Sequence, residues 1–283
     1  MKSKIIILLL LMLTLAGCKK ENNVYDIKII FLHQSTGEII WLGSEPTLLT
    51  RGARRINPKL GKIVTRKGNL QKLFEDYNLN NEDKYLIEEM RFPENTGNFP
   101  YNYYNIWIKN AGNEPYNGDP TLEMLTQDYQ VIIFKHCYPV SNIINDQDSA
   151  DINSNLKTIS NYKLQYLALR DKLHEFPSTK FILFTGAVQV KANITDDEAE
   201  RTREFFNWVR KEWDLPGDNI YLWDLYNLQT EGDLYLKDKY ATSANNSHPN
   251  EEFARNAVKL LFNRIIDIIE NEGEGTQLTG KEK

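Results

Sequence analysis

Four short stretches with apolar cores, residues 25–32, 129–134, 180–185 and 219–225, constrain the fold of this chain more than any other feature. A strand exposed on one face alternates apolar and polar residues, whereas a strand covered on both faces reads as a continuous apolar run. The segments between the runs are long enough to hold helices, which is what parallel neighbours need for their crossovers. The economical solution is an α/β fold, a three-layer α/β/α sandwich with a mainly parallel central sheet.

The intervening segments carry helix signals. Leu156, Ile159, Tyr162, Tyr166, Leu169 and Leu173 recur every three or four residues and predict one long helix ending before Pro177. Thr195-Asp196-Asp197-Glu198 has the pattern of a capping box and predicts a helix to about Trp213. Asp119-Pro120 offers an N-cap followed by proline at the first helical position, for a short helix over 121–126. Phe253, Ala257, Val258, Leu261, Ile265 and Ile268 form a last apolar stripe. Residues 41–118 are weakly periodic, with a helix expected near 69–77 and a strand near 84–90. The run Tyr101-Asn102-Tyr103-Tyr104-Asn105-Ile106-Trp107 suits either sugar stacking or core packing. Residues 271–283, rich in Gly, Glu and Lys, read as a flexible tail.

At the amino end, Met1-Lys2-Ser3-Lys4 leads into an apolar stretch, residues 5–13, too short to span a bilayer as a mature helix. Leu15-Ala16-Gly17-Cys18 resembles a lipobox, in which the leader is removed and the cysteine becomes the lipid-bearing first residue. The expected organisation is a signal peptide (1–17), a tether (18–25), one α/β domain (26–270) and the tail (271–283). The expected location is the bacterial cell envelope, at the outer membrane or cell surface, with lipid on Cys18 as the membrane contact. Cys137 is then the remaining thiol, so no intramolecular disulfide is available and an ordinary hydrophobic core must stabilise the domain. The net charge of -5 argues against nucleic acid as a partner. Arg51, Arg54, Arg55, Lys59, Lys62, Arg66 and Lys67 are a local basic exception, suited to a solvated loop or to a surface that meets acidic glycan or lipid headgroups.

Two polar motifs stand at the edges of these elements. His33-Gln34-Ser35-Thr36-Gly37 follows the first apolar run, and Ser247-His248-Pro249-Asn250 precedes the last stripe. Open α/β sheets bind ligands beyond the carboxyl ends of their strands, which is where Ser35 falls. A serine hydroxyl needs a base to take its proton, and His248 can be that base if the chain before the final helix returns to the same sheet edge. Singly, each residue also fits a turn or capping role. A Cys137–His136 pair is opposed by strand alternation, which points neighbours to opposite faces, so Cys137 is expected to be buried and inert. His33, His136 and His248 lack the ligand spacing of a zinc site, and neither metal nor cofactor is expected.

The order of an early serine, a block after a central strand and a late His-Pro-Asn resembles that of the SGNH/GDSL hydrolases, over about residues 27–269. The resemblance implies an SGNH hydrolase-like fold and ester hydrolysis. His33-Gln34-Ser35 stands where the family has Gly-Asp-Ser, which implies Ser35 as nucleophile. Asn246-Ser247-His248 stands within the Asp-x-x-His block, which implies His248 as base. The acid position of that block is Asn245, with Asn246 beside it; an amide can orient an imidazole but brings no charge to stabilise an imidazolium. Asp224, ending the fourth run, is the other candidate partner of the base. In place of the family's Gly-x-Asn-Asp stands Lys135-His136-Cys137-Tyr138-Pro139-Val140-Ser141-Asn142. Ser141, Asn142, Lys135 and His136 are candidate oxyanion donors together with the Ser35 N–H, and spacing does not choose among them.

The resulting expectation is an exported, lipid-anchored serine esterase or acyl hydrolase acting on a small-molecule or glycan ester, with acylated carbohydrate as the expected substrate class. The competing expectation is a non-catalytic glycan-binding lipoprotein on the same fold, using the aromatic run 101–107.

Overall fold

The computed structural model describes residues 25–44, 52, 56, 67–146 and 149–283. The expected signal peptide, Cys18, most of the tether and the basic cluster as far as Arg66 lie outside the described residues.

Five strands form one sheet: β1 (Ile27–His33), β2 (Tyr85–Arg91), β3 (Val131–Phe134), β4 (Lys180–Phe184) and β5 (Ile220–Trp223), in the order β2-β1-β3-β4-β5. Every neighbouring pair is parallel. Ile29, Phe31, Val131, Ile133, Ile182, Phe184 and Trp223 point to one face, and Ile30, Leu32, Ile132, Phe134, Phe181, Leu183 and Leu222 to the other. Both sets are buried, which is why the runs read as continuously apolar. β2 is one of the two edge strands, β5 being the other, and its exposed Glu88, Glu89 and Arg91 guard that edge against further pairing while weakening its signature in the sequence.

Helices α1 (Ser35–Leu42), α2 (Asn69–Asn80) and, at the end of the chain, α8 (Glu251–Asn271) cover the first face. The second is covered by α3 (Pro100–Tyr104), α5 (Ile159–His174) and α6 (Asp196–Trp208), with the short α4 (Leu122–Asp128) beside them and α7 (Leu225–Thr230) following β5. The molecule is therefore a three-layer α/β/α sandwich. The Thr195 capping box forms as expected: Thr195 accepts from Glu198 N while the Glu198 carboxylate accepts from Thr195 N, and a π turn carries α6 on to Trp213.

Two expectations are corrected, for the α4 cap and the tail, and the choice left open for the aromatic run falls to core packing. α4 is capped by Thr121, which accepts from Met124 N; Asp119 is instead buried and accepts from Glu94 N at 2.7 Å. The aromatic run 101–107 is chiefly core: Tyr103 and Trp107 are fully buried, meet edge to face at 4.9 Å and pack on Phe92 and Phe134. The tail expected to be flexible is a strap pinned to α8 and β5. Arg264 donates to Gly273 O (2.8 Å) and Thr276 Oγ1 (3.0 Å), Asp267 accepts from Gly275 N (2.9 Å) and Thr276 N (2.8 Å), and Trp223 Nε1 donates to Thr279 O (3.1 Å). Polar composition misled there because the strap's amides and carbonyls satisfy buried side chains that would otherwise lose hydration without compensation.

Candidate functional site

The strand order places β2 and β3 on opposite sides of β1, so the switch point of the sheet, where open α/β sheets bind their ligands, lies at the carboxyl ends of β1 and β3. β1 ends at His33, Gln34 is extended (φ -122°, ψ -158°), and α1 begins at Ser35 with no side-chain cap. Gly37 makes this turn possible, because a Cβ at that position would lie 2.3 Å from His33 Cβ. α1 therefore starts flush against the end of its own strand, with Ser35 half-buried at the tip. The first-turn amides and the positive end of the helix dipole face the same place, which favours negative charge there.

His248 lies on β7 (Asn246–Pro249), the second strand of an antiparallel hairpin with β6 (Ala241–Ser243), and β7 packs against α1. Asn246 Oδ1 accepts from His248 N at 3.1 Å and faces His248 Nδ1 at 2.8 Å. A backbone N–H can only donate, so the amide atom at this point is the oxygen and Nδ1 carries the proton. Nε2 is then the basic nitrogen of the neutral ring. The expected partner Asn245 has an exposed side chain and, among the described residues, offers its carbonyl to Asn193 Nδ2 at 3.2 Å. A period of two in a strand, which puts residues 246 and 248 on one face, was the signal for Asn246.

Ser35 Oγ rests 3.9 Å from Cys137 Sγ, and among the described residues no hydrogen bond joins Ser35 to His248. Tyr138 links their two elements. Thr36 Oγ1 donates to the Tyr138 hydroxyl (3.0 Å), which donates to Ser247 O (2.5 Å), and the Tyr138 ring meets the His248 ring edge to face at 5.3 Å. Burial pushes the Tyr138 phenol well above its ordinary range, so it remains a donor at neutral pH. Ser247 is held from the other side, its Oγ accepting from Val190 N and Asn193 Nδ2, both at 3.1 Å.

The other candidates are committed elsewhere or buried. Asp224 caps α7, accepting from Asn227 N, and also accepts from Thr185 Oγ1 (2.5 Å) and Arg210 (3.0 Å); it does not serve His248. Ser141 Oγ donates to Tyr138 O (2.9 Å) and accepts from Gln189 Nε2 (3.1 Å), which leaves it no proton for an oxyanion. Asn142 is turned to α6, where it helps to hold the Glu198 carboxyl below its ordinary range, behind the larger effects of burial, which opposes, and of Thr195. His136 is buried between Tyr103 (4.6 Å) and Tyr166 (5.5 Å), and burial, followed by the Lys135 charge, pushes it down to about 3. It is a neutral core residue on the face opposite Cys137. Lys135 is fully buried beneath Gly37 with no partner for Nζ among the described residues, and burial lowers its amine. Sequence reasoning missed two further residues tied to the segment that bears Ser35: Tyr138, bonded to Thr36, and Glu89, whose carboxylate meets the buried His33 Nε2 at 2.8 Å. Among the described residues no group of three or more His, Cys, Asp or Glu side chains is placed to hold a metal ion.

No protein-family model and no curated protein matches this chain. Among solved structures it is similar to a provisionally assigned acylhydrolase from Bacteroides fragilis, at 13% identity and a TM-score of 0.42 over 90% of each chain. It is also similar to a carbohydrate esterase family 2 enzyme with a carbohydrate-binding domain from Corynascus thermopiles (Myceliophthora fergusii), at 9% identity and a TM-score of 0.43 over 86% of this chain and 67% of that one. A third is a carbohydrate esterase described as having divergent catalytic and non-catalytic binding functions, at 14% identity and a TM-score of 0.41 over 87% of this chain and 70% of that one. Likenesses this distant carry no functional argument; the chemistry below rests on the geometry of this chain.

Proposed function

We propose that this protein is an exported, lipid-anchored ester hydrolase of SGNH type. Ser35 attacks the ester carbonyl, His248 Nε2 takes the serine proton and returns it to the leaving alcohol, and the first-turn amides of α1 receive the oxyanion. Water, giving its proton to His248 Nε2, then attacks the acyl-Ser35 carbonyl, the carboxylic acid leaves and the proton returns to Ser35 Oγ. The observation that carries this reading is the meeting of two elements at the switch point of the sheet: the uncapped head of α1 bearing Ser35, and β7 bearing a histidine whose Nδ1 is fixed by Asn246. Attack requires Ser35 Oγ to leave Cys137 and turn to Nε2, a rearrangement of the kind that substrate binding completes in many hydrolases. Acylated carbohydrate as the substrate class and lipid on Cys18 rest on the sequence resemblance and the leader.

Hydrolysis of p-nitrophenyl acetate and of acetylated oligosaccharides by the mature protein tests the chemistry. The expected result is turnover that falls at least about 100-fold in Ser35→Ala and His248→Ala, with unchanged circular dichroism. Equal rates for the wild type and Ser35→Ala would reject it. Anchoring is tested by the mass of the amino-terminal peptide: a lipid-modified Cys18, absent in Cys18→Ser, is expected, and a mature chain that still begins at Met1 would rule it out.

The contact of Ser35 Oγ with Cys137 and the uncharged Asn246 favour one alternative, a protein that binds acylated glycan without turnover. In that case the wild type and Ser35→Ala bind the acetylated oligosaccharide equally and neither releases acetate.

A further inference from the structure

β7 belongs to a two-stranded hairpin outside the main sheet, and such a hairpin is barely stable by itself. The base it carries must nevertheless be held against α1 within a fraction of an ångström for proton transfer. Among the described residues, one oxygen hydrogen-bonds to both sides of that contact. The Tyr138 hydroxyl accepts from Thr36, the chain neighbour of Ser35, and donates to the carbonyl of Ser247, the chain neighbour of His248. The tyrosine is itself well rooted. Cys137 N donates to both the backbone and side-chain oxygens of Asn98 (3.1 and 3.0 Å), and Ser141 Oγ closes the turn onto Tyr138 O. Its ring stands perpendicular to the imidazole, at 88°, and so limits rotation of His248.

Resting on the hydrolase reading above, we infer that Tyr138 is a positioning residue for the reaction: its hydroxyl sets the separation of the Ser35 and His248 backbones, and its ring sets the plane of the imidazole. It touches neither substrate nor the transferred proton. Its effect is therefore on kcat, through the geometry of the Ser35–His248 encounter, and not on substrate affinity.

The test uses Tyr138→Phe and Thr36→Val in the full mature protein, with kcat, KM, melting temperature and the rate of fluorophosphonate labelling measured for each. Phenylalanine keeps the ring and removes both hydrogen bonds; valine removes one donor and leaves the tyrosine in place. Expected for Tyr138→Phe is a kcat lower by about 10- to 100-fold, KM within about twofold of wild type and a labelling rate lowered in the same proportion as kcat. Thr36→Val loses less, and the double variant is no slower than Tyr138→Phe, because both substitutions cut one bridge. Wild-type kcat and labelling in Tyr138→Phe, or a rate loss that only follows a loss of folded protein in both single variants, would overturn the inference while leaving the hydrolase reading intact. A wild-type protein that neither turns over esters nor labels at Ser35 would overturn both.

Discussion

Asn246 holds His248 through two donors at once, the backbone N–H and the ring Nδ1–H, so its replacement reports directly on the base. Asn246→Asp keeps the acceptor and adds the charge that an imidazolium prefers to face; kcat for ester hydrolysis is expected to rise by at least about tenfold. Asn246→Leu leaves both donors unpaired and the ring free to turn, and kcat is expected to fall about 100-fold or more. Steady-state kinetics of the two variants check this, and rates unchanged in both would remove His248 from the base role. Ser35 and His248 could be singled out in the sequence because each stands at a motif beside an element end, and their roles in turnover are the proposal made above. Asn245 was favoured over Asn246 because family spacing was applied where a strand's period of two decides. Tyr138 and Glu89 could not be read at all, since their partners Ser247 and His33 lie 109 and 56 residues away. Lys135, His136 and Ser141 looked available as donors because sequence does not reveal burial or prior commitment.

At the scale of elements, the start of α1 depends on one glycine. Gly37→Ala puts a Cβ against His33, and neither the strand end nor the helix has room to yield without moving the tip that bears Ser35. A stability loss of roughly 1–3 kcal/mol in denaturant melts is expected, as for overpacked cores, together with a kcat loss larger than the change in KM. An alanine variant with wild-type stability and rate would show that the close approach is dispensable. Four of the strands were legible because burial on both faces leaves an unbroken apolar run, and the α5 and α8 stripes because each helix buries one face. The start of α4 was displaced by two residues because Asp119 was needed elsewhere, on Glu94 N. The hairpin of β6 and β7 is too short and polar to announce itself, yet it is what delivers His248.

For the whole molecule, the sandwich follows from the apolar pattern, whereas the strap of residues 272–283 follows from long-range polar contacts that composition does not encode. Stability also carries a pH signature, at Asp214. Burial, with repulsion from Asp218 and against the opposing pull of Arg264, raises this carboxyl from 3.8 to about 7. A folded-state pKa above the unfolded one means that its contribution is fully present below about pH 4 and is lost as pH rises through about 7, at most about 4 kcal/mol. Asp214→Asn should therefore melt higher than wild type at pH 8, with the difference shrinking toward pH 4; a gap independent of pH would contradict this. In the proposed reaction the molecule works through Ser35 as a nucleophile activated by His248. Treatment of the mature protein with a serine-reactive fluorophosphonate, followed by mass spectrometry of the modified peptide, tests it most directly. Modification at Ser35 that disappears in His248→Ala is expected; no modification of Ser35 under conditions that label a control esterase, or labelling indifferent to His248→Ala, would rule out a His248-activated nucleophile.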